Sequence, residues 1–299
     1  MPVVTCVGLA VQDTVFSLDT DLEIGGKNFA SGVRRMGGGP AANAAVTVAS
    51  LGGTARLISV LGGDIAADEI IDGLTTRGVS TDRVRRNRGC DSPQSVVITD
   101  SHGERTVINR TDVRLWDGAP VVSASDIAGS AAVLVDLRWR DGAIAAVSEA
   151  AAAGIPTVVD FDTTDVEVPD SILELPSHVI FSEAALSRFT GLADPERAIE
   201  AVETGSGFAG VTLGAAGVVW REGGTTHRMD AFDVDVVGTL GAGDVFHGAF
   251  ALGLAEGRRT HDNMRWSAAA AALTCAEGGG REGIPTASDV QSFLEEAGI

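Results

Sequence analysis

"VVGTLGAGDVFHGAFALGLAEG", residues 236–257, decides how this chain is read. It opens on a Gly-Ala-Gly-Asp turn and runs on as an apolar, helix-forming segment. Small residues at Gly241, Ala242 and Gly243 let backbone amides crowd a bound group at a helix start, where unsatisfied N–H groups and the helix dipole favour an anion. Asp244, in the first turn, can reach a hydroxyl of that group. An aspartate there is also an ordinary favourable helix start, but a helix start alone has no need of the flanking glycines.

Working outward, "VVTCVGL" (3–9), "TARLISVLG" (54–62), "AAVLVDLRW" (131–139), "IPTVVDF" (155–161), "HVIFS" (178–182) and "FAGVTLG" (208–214) read as buried strands. Helical patterns lie between them, such as "GPAANAAVTVASLG", "IAADEIIDGLTTRG", "DGAIAAVSEAAAAG" and "SEAALSRFTG". Strand followed by helix, repeated, predicts an α/β fold with a parallel sheet wound by right-handed crossovers. Residues 13–36 and 91–111 break the rhythm by alternating apolar and polar residues, as half-exposed antiparallel strands do. They are expected to form a small second sheet that projects like a lid. Neither a repeat nor a linker divides the chain, so 1–299 is read as a single domain.

Composition excludes several function classes. With 41 acidic residues against 22 basic ones and a net charge of -19, the surface does not suit nucleic acid. The absence of a long apolar run or a basic, apolar N-terminus leads to the expectation of a cytoplasmic protein without a membrane partner. Cys6, Cys90 and Cys275 are isolated and read as reduced packing residues. The P-loop pattern fails around Lys27, the only lysine in the chain, and there is no His-Arg-Asp loop of the protein-kinase kind.

Over essentially its whole length the sequence resembles the ribokinase-like (PfkB) carbohydrate kinases. "GTLGAGD" (238–244) matches the D-T-x-G-A-G-D motif, and "MGGGPAANAA" (36–45) matches the N-terminal signature. "GLAVQD" ends in Asp13 at the family's sugar-binding aspartate, "VTLGAAGV" (211–218) resembles the T-L-G-x-x-G nucleotide stretch, and "EGGGREGIPT" (277–286) resembles the C-terminal segment near the nucleotide. The resemblance implies a three-layer sandwich, its mostly parallel central sheet flanked by helices and carrying a small antiparallel β lid. It also implies phosphoryl transfer from ATP with Mg2+: Asp244 as general base, and the amides of Gly241, Ala242 and Gly243 as anion hole. Asp13, Gly38, Gly39 and Asn43 would face the sugar, and Thr212, Gly214 and Gly217, with Gly241 and Gly243, the nucleotide. Paired lids in the family imply a homodimer.

Two positions depart from the pattern. Gly238 replaces the motif's first Asp, at a position associated with a monovalent-cation loop, so the resemblance does not carry such a cation over. Ala185 replaces the Glu of N-x-x-E. Glu183 remains nearby as a candidate for Mg2+ through water, with no direct metal ligand expected; it also reads as a helix-start acid after a capping Ser182.

Locally, "GGK" (25–27), "GERTVIN" (103–109), "VDLRWRDGA" (135–143), "FSEAALSRFTG" (181–191), "DVFHGAF" (244–250) and "GGREGIP" (279–285) resemble the sulfofructose kinases. These phosphorylate the 1-hydroxyl of 6-deoxy-6-sulfofructose in sulfoquinovose catabolism. That resemblance implies that Lys27, Asn109 and Arg138 bind the sulfonate. An ammonium, an amide and a guanidinium suit a compact monoanion with three acceptor oxygens. Read from the residues alone, Lys27 equally suits an exposed edge strand, Asn109 a strand-end turn, and Arg138 a surface pair with Asp136 or Asp141. Arg105 is as suited to bracing the lid as to touching ligand. His247, one turn after Asp244, reads as a core residue that could approach the sugar, and the tryptophans as packing. The alternatives are a fructose, fructose 6-phosphate or related ketose kinase, and a silent sugar or nucleoside sensor.

Overall fold

The computed structural model describes residues 1–102, 105–119, 121–163 and 168–298, with Arg105 described in its backbone alone. Among the described residues thirteen strands run in chain order: β1 (Val3–Val7), β2 (Val11–Ser17), β3 (Gly32–Gly38), β4 (Thr54–Gly62), β5 (Ser80–Asn87), β6 (Gln94–Thr99), β7 (Arg105–Arg110), β8 (Ala132–Asp136), β9 (Thr157–Phe161), β10 (His178–Ser182), β11 (Ala209–Thr212), β12 (Val218–Glu222) and β13 (Thr225–Met229). The main helices are α1 (Pro40–Ser50), α2 (Ile65–Thr76), α3 (Ala124–Ile127), α4 (Arg140–Ala153), α5 (Ser171–Glu174), α6 (Glu183–Thr190), α7 (Pro195–Glu200), α8 (Ala242–Ala255), α9 (Thr260–Ala276) and α10 (Ala287–Glu296).

Nine strands form the central sheet in the order β13-β12-β11-β10-β9-β8-β1-β4-β5. All neighbours pair in parallel except at β12 and β13, which add an antiparallel hairpin to one edge. Alternate residues of one strand enter opposite cores: Ala132 and Leu134 of β8 face one, Val133 and Val135 the other. Helices α1, α2, α8, α9 and α10 close the first core, and α3 to α7 the second. This double burial is why the central strands are predominantly apolar on both faces. Among the described residues no helix is long and apolar enough to cross a membrane.

The small sheet has the order β3-β2-β6-β7. Its two hairpins are antiparallel, and β2 and β6 join them through a parallel seam in which Asp13 lies opposite Ser95. Only the ends of the 13–36 stretch are strand. Residues between β2 and β3 form an exposed loop, because Asp19, Thr20, Asp21 and the Gly25-Gly26 pair favour turns over a ladder. Three strands were not anticipated from the sequence: β5, whose arginines mask a strand, and β12 and β13, a hairpin with a Gly223-Gly224 turn.

Helices α1 and α8 set the site. A Cβ on Gly248 would stand 2.7 Å from the carbonyl of Ala44, so glycine there lets the two helices approach closely. That contact brings their first turns together, and with them Asn43 and Asp244.

Candidate active site

A cleft of about 730 Å³ opens beyond the carboxyl ends of β1, β8 and β9 and under the small sheet. The order of strands reverses between β1 and β8, and such a reversal leaves a crevice between loops that turn opposite ways. Asp13, Asn43, Asn109, Arg138, Gly241 and Asp244 all line this one cleft.

The chain reaches Asp244 through Gly241, which caps α8 in the left-handed region at φ 76°, a conformation costly for any residue with a side chain. No side chain caps this helix start, so its orphan amides face the turn beside the cleft. A Cβ on Gly243 would meet nothing within 4 Å, which marks open space there. Asn43 Nδ2 donates to Asp244 Oδ2 at 2.7 Å. Burial pushes the Asp244 carboxyl up to about 7 and neighbouring Asp160 adds to the rise, while the Asn43 hydrogen bond opposes it. A carboxyl poised near neutrality suits proton transfer, since it is ionised often enough to accept and basic enough to hold the proton.

Asp136, at the end of β8, fastens the walls. Its Oδ2 accepts from the amides of Leu9 (2.8 Å) and Ala41 (3.0 Å), and its Oδ1 accepts from that of Arg138 (2.9 Å). One carboxylate thus binds the chain after β1, the start of α1 and the segment that carries Arg138. Burial raises the Asp136 carboxyl and those three amides oppose the rise. Asp160, buried at the end of β9, is raised by burial first and then by Asp136 and Asp162.

The sugar-side residues fall into three groups. Asp13 is buried on β2, its carboxyl raised by burial and opposed by the Ser95 hydroxyl and Arg281. A Cβ on Gly38 would stand 2.1 Å from Asp13 Oδ2, and Gly39 caps α1, so this glycine run lets Asp13 pack against it. Asn109, on β7, accepts from Ser95 Oγ at 2.9 Å. The Arg138 side chain is 35% exposed and pairs with Asp162 at 3.0 Å, not with Asp136 or Asp141. Ser182 Oγ donates to the other Asp162 oxygen at 2.8 Å. Lys27 stands apart: it is exposed in the loop between β2 and β3, off the cleft wall. The loop is organised by Asn28, which accepts from the Glu23 amide (2.8 Å) and donates to the Glu23 carbonyl (2.9 Å). The Arg105 side chain lies outside the described residues.

Thr212 ends β11, and Gly214 and Gly217 lie in and just after the 3-10 turn that follows, beyond the cleft lining. Glu183 is exposed in the first turn of α6, where Ser182 caps the helix by accepting from the Ala185 amide. Among the described residues no cluster of three or more ligating side chains could hold a metal. At Gly238 a Cβ would stand 2.3 Å from the Gly278 carbonyl, so the aspartate of the related motif does not fit.

His247 is the core residue the sequence suggests and does not approach a sugar: it is 3% exposed, and its Nδ1 lies 3.4 Å from Asp160 Oδ2. Burial lowers it to about 4, so it is neutral at neutral pH. Trp116 packs against the second core, as expected, and also lines the cleft. Sequence reasoning also missed Arg188 on the cleft wall and the buried Arg281, whose Nε donates to Asn43 Oδ1 at 2.9 Å. An arginine within the Gly-rich run 278–283 was the available signal for the second.

The pfkB family carbohydrate kinase model matches residues 1–287. A ribokinase from Haemophilus influenzae is 26% identical over 87% of this chain and 88% of its own. Among solved structures, a candidate ribokinase from Agrobacterium tumefaciens superposes with a TM-score of 0.93 at 36% identity, covering 99% of this chain and 98% of the other. Arabidopsis thaliana ribokinase complexed with ribose and ATP gives 0.86 at 25%, covering 98% of each.

Proposed function

This chain belongs to the pfkB family of carbohydrate kinases and is an ATP-dependent sugar kinase; we propose that its acceptor is 6-deoxy-6-sulfofructose, phosphorylated at the 1-hydroxyl to give the 1-phosphate and ADP. The observation that carries this reading is the composition of the cleft, which sets the carboxylates of Asp13 and Asp244 together with the guanidinium of Arg138 and the amide of Asn109. In a chain of net charge -19, cations on a cleft wall point to an anionic substituent on the ligand. A sulfonate stays singly charged near neutrality and accepts from Arg138 and Asn109 alike.

In the proposed reaction Asp244 takes the proton of the 1-hydroxyl as its oxygen attacks the γ-phosphorus of ATP in line, and the bond to the ADP oxygen breaks. The amides of Gly241, Ala242 and Gly243 receive the charge of the transferring group. Mg2+ borne on the phosphates supplies further neutralisation when bound. Asp13, Gly38, Gly39 and Asn43 hold the sugar, and Thr212, Gly214 and Gly217 the nucleotide. Lys27 joins the sulfonate when its loop folds over the cleft. With Gly238 packed on Gly278, no monovalent cation is assigned. The exposed outer strand β3 of the small sheet suits pairing with a second copy into a homodimer.

The position of Lys27 off the wall favours a second reading, a neutral or phosphorylated ketose such as fructose or fructose 6-phosphate. Coupled ADP release with Mg-ATP and 6-deoxy-6-sulfofructose, fructose 6-phosphate and fructose in parallel separates the two. The proposal expects kcat/KM to be highest for the sulfonated sugar; a higher value for either other sugar overturns it.

A further inference from the structure

Arg281 lies where a charged residue is expensive. The residue is 4% exposed, its guanidinium is held between Asn43 and Gly38, and burial lowers it to about 10. Nε donates to Asn43 Oδ1 at 2.9 Å and Nη2 to the Gly38 carbonyl at 3.0 Å. Gly37 makes room for it: a Cβ there would stand 1.9 Å from Nη1. A buried cation is costly unless its geometry is used.

We propose that Arg281 is a positioning residue that fixes the orientation of the Asn43 amide and, through it, the Asp244 oxygen left free to take the proton. A guanidinium has donors and no acceptor, so only the oxygen of the Asn43 amide can face it. The amide nitrogen is thereby turned to Asp244 Oδ2, which it meets at 2.7 Å. With that oxygen occupied, Oδ1 remains for a hydroxyl. Without Arg281 both orientations of the amide are open, and one sets its oxygen against a carboxylate.

The backbone around Arg281 reinforces this role. The Gly280 amide donates to the Leu240 carbonyl at 2.7 Å, so the segment that carries Arg281 also holds the turn leading into Gly241. Arg77 anchors the far side: Nη1 donates to the Arg281 carbonyl at 3.4 Å, and Nη2 pairs with Glu282 at 2.7 Å. The C-terminal segment therefore places the base and the anion-binding turn together. The groups that bear on Asp244 are Asn43 from α1, His247 from its own helix, and Asp136 and Asp160 from the ends of β8 and β9. Arg281 joins them from the C-terminal segment, its charge supported by Asp13 and Asp244.

The inference rests on Asp244 as the base but not on any one acceptor, and a double-mutant cycle with Mg-ATP and the best of the three sugars tests it. Arg281→Gln is expected to lower kcat by roughly ten- to a hundred-fold with KM within a few-fold, as loss of a charge-assisted contact predicts. In an Asn43→Ala background the same change should cost under about three-fold, since its partner is gone. A full penalty in that background, or a loss confined to KM, overturns the proposal. Should Arg281→Gln fail to give a cooperative melt, Arg281→Lys runs the same cycle. A 13C carboxyl titration of the ligand-free protein, assigned with Asp244→Asn, gives a readout without turnover. Arg281→Gln should move the Asp244 midpoint upward, because a cation and an aligned donor are lost; an unmoved midpoint contradicts the proposal. Turnover retained by Asp244→Asn would remove the base assignment instead, and the titration would then judge Arg281 by itself.

Discussion

The two walls of the cleft are held to different tolerances. On the helix wall Asn43 is hydrogen-bonded to Asp244 at 2.7 Å and to Arg281 at 2.9 Å, Asp136 is held by the amides of Leu9 and Ala41 at 2.8 and 3.0 Å, and Asp136, Asn43 and Arg281 are buried. On the opposite side Asn109 rests on one serine hydroxyl, Arg138 on one ion pair at 35% exposure, and Lys27 on an open loop. Proton transfer and charge stabilisation gain most from groups that do not reorganise, which explains the dense wall. Recognition of a substituent tolerates side chains that settle onto the ligand as it binds.

The largest test of this contrast is Asp244→Asn, expected to lower kcat by about 10²- to 10⁴-fold with little change in KM. Steady-state kinetics showing a loss of only a few-fold would break the contrast at its centre. Gly238→Asp should destabilise the fold by about 1–3 kcal/mol in urea unfolding, because its side chain meets the Gly278 carbonyl.

A smaller effect concerns pH. The Asp244 carboxyl lies near 7 in the fold against 3.8 for an exposed aspartate, so the folded state binds the proton more tightly. Its contribution is full below pH 4 and lost as pH rises through 7. His178 and His247, lowered to about 4 by burial, act in the opposite sense: their contribution is full above 6.5 and lost as pH falls through 4. Comparing wild type with Asp244→Asn isolates the aspartate. The variant should melt about 2 °C or more higher at pH 8.5, and the gap should narrow as pH falls through 7 and close only below pH 4. The smallest effect is expected at Lys27→Met, with stability within about 0.5 kcal/mol of wild type in the same unfolding assay.

What the sequence conveyed follows from burial. Strands β4 and β10 match their apolar runs residue for residue, because both faces of most of each strand are covered and a dense run of buried apolar residues carries the signal past the few polar positions. Strand β5 was hidden by Arg83, Arg85 and Arg86, which pair with Asp126 and Asp68 along the sheet edge. In the cleft, the Gly-Ala-Gly-Asp turn was legible because one short segment supplies both the base and the amides. Arg281 was not, since its contact with Asn43 joins residues 238 positions apart. Asp136 was legible only as a possible partner for Arg138, because the amides of Leu9 and Ala41 that it binds lie about 95 or more positions away. The exposed position of Lys27 could not be read from its scarcity, which records composition and not place.

The separation of the two walls is tested most directly by kcat/KM for 6-deoxy-6-sulfofructose and for fructose, measured in wild type and in Arg138→Met. The account predicts a loss of roughly ten- to a hundred-fold for the sulfonated sugar with fructose little affected. Equal losses for both sugars would show that Arg138 braces the cleft through Asp162 and would contradict the assignment of acceptor choice to that wall.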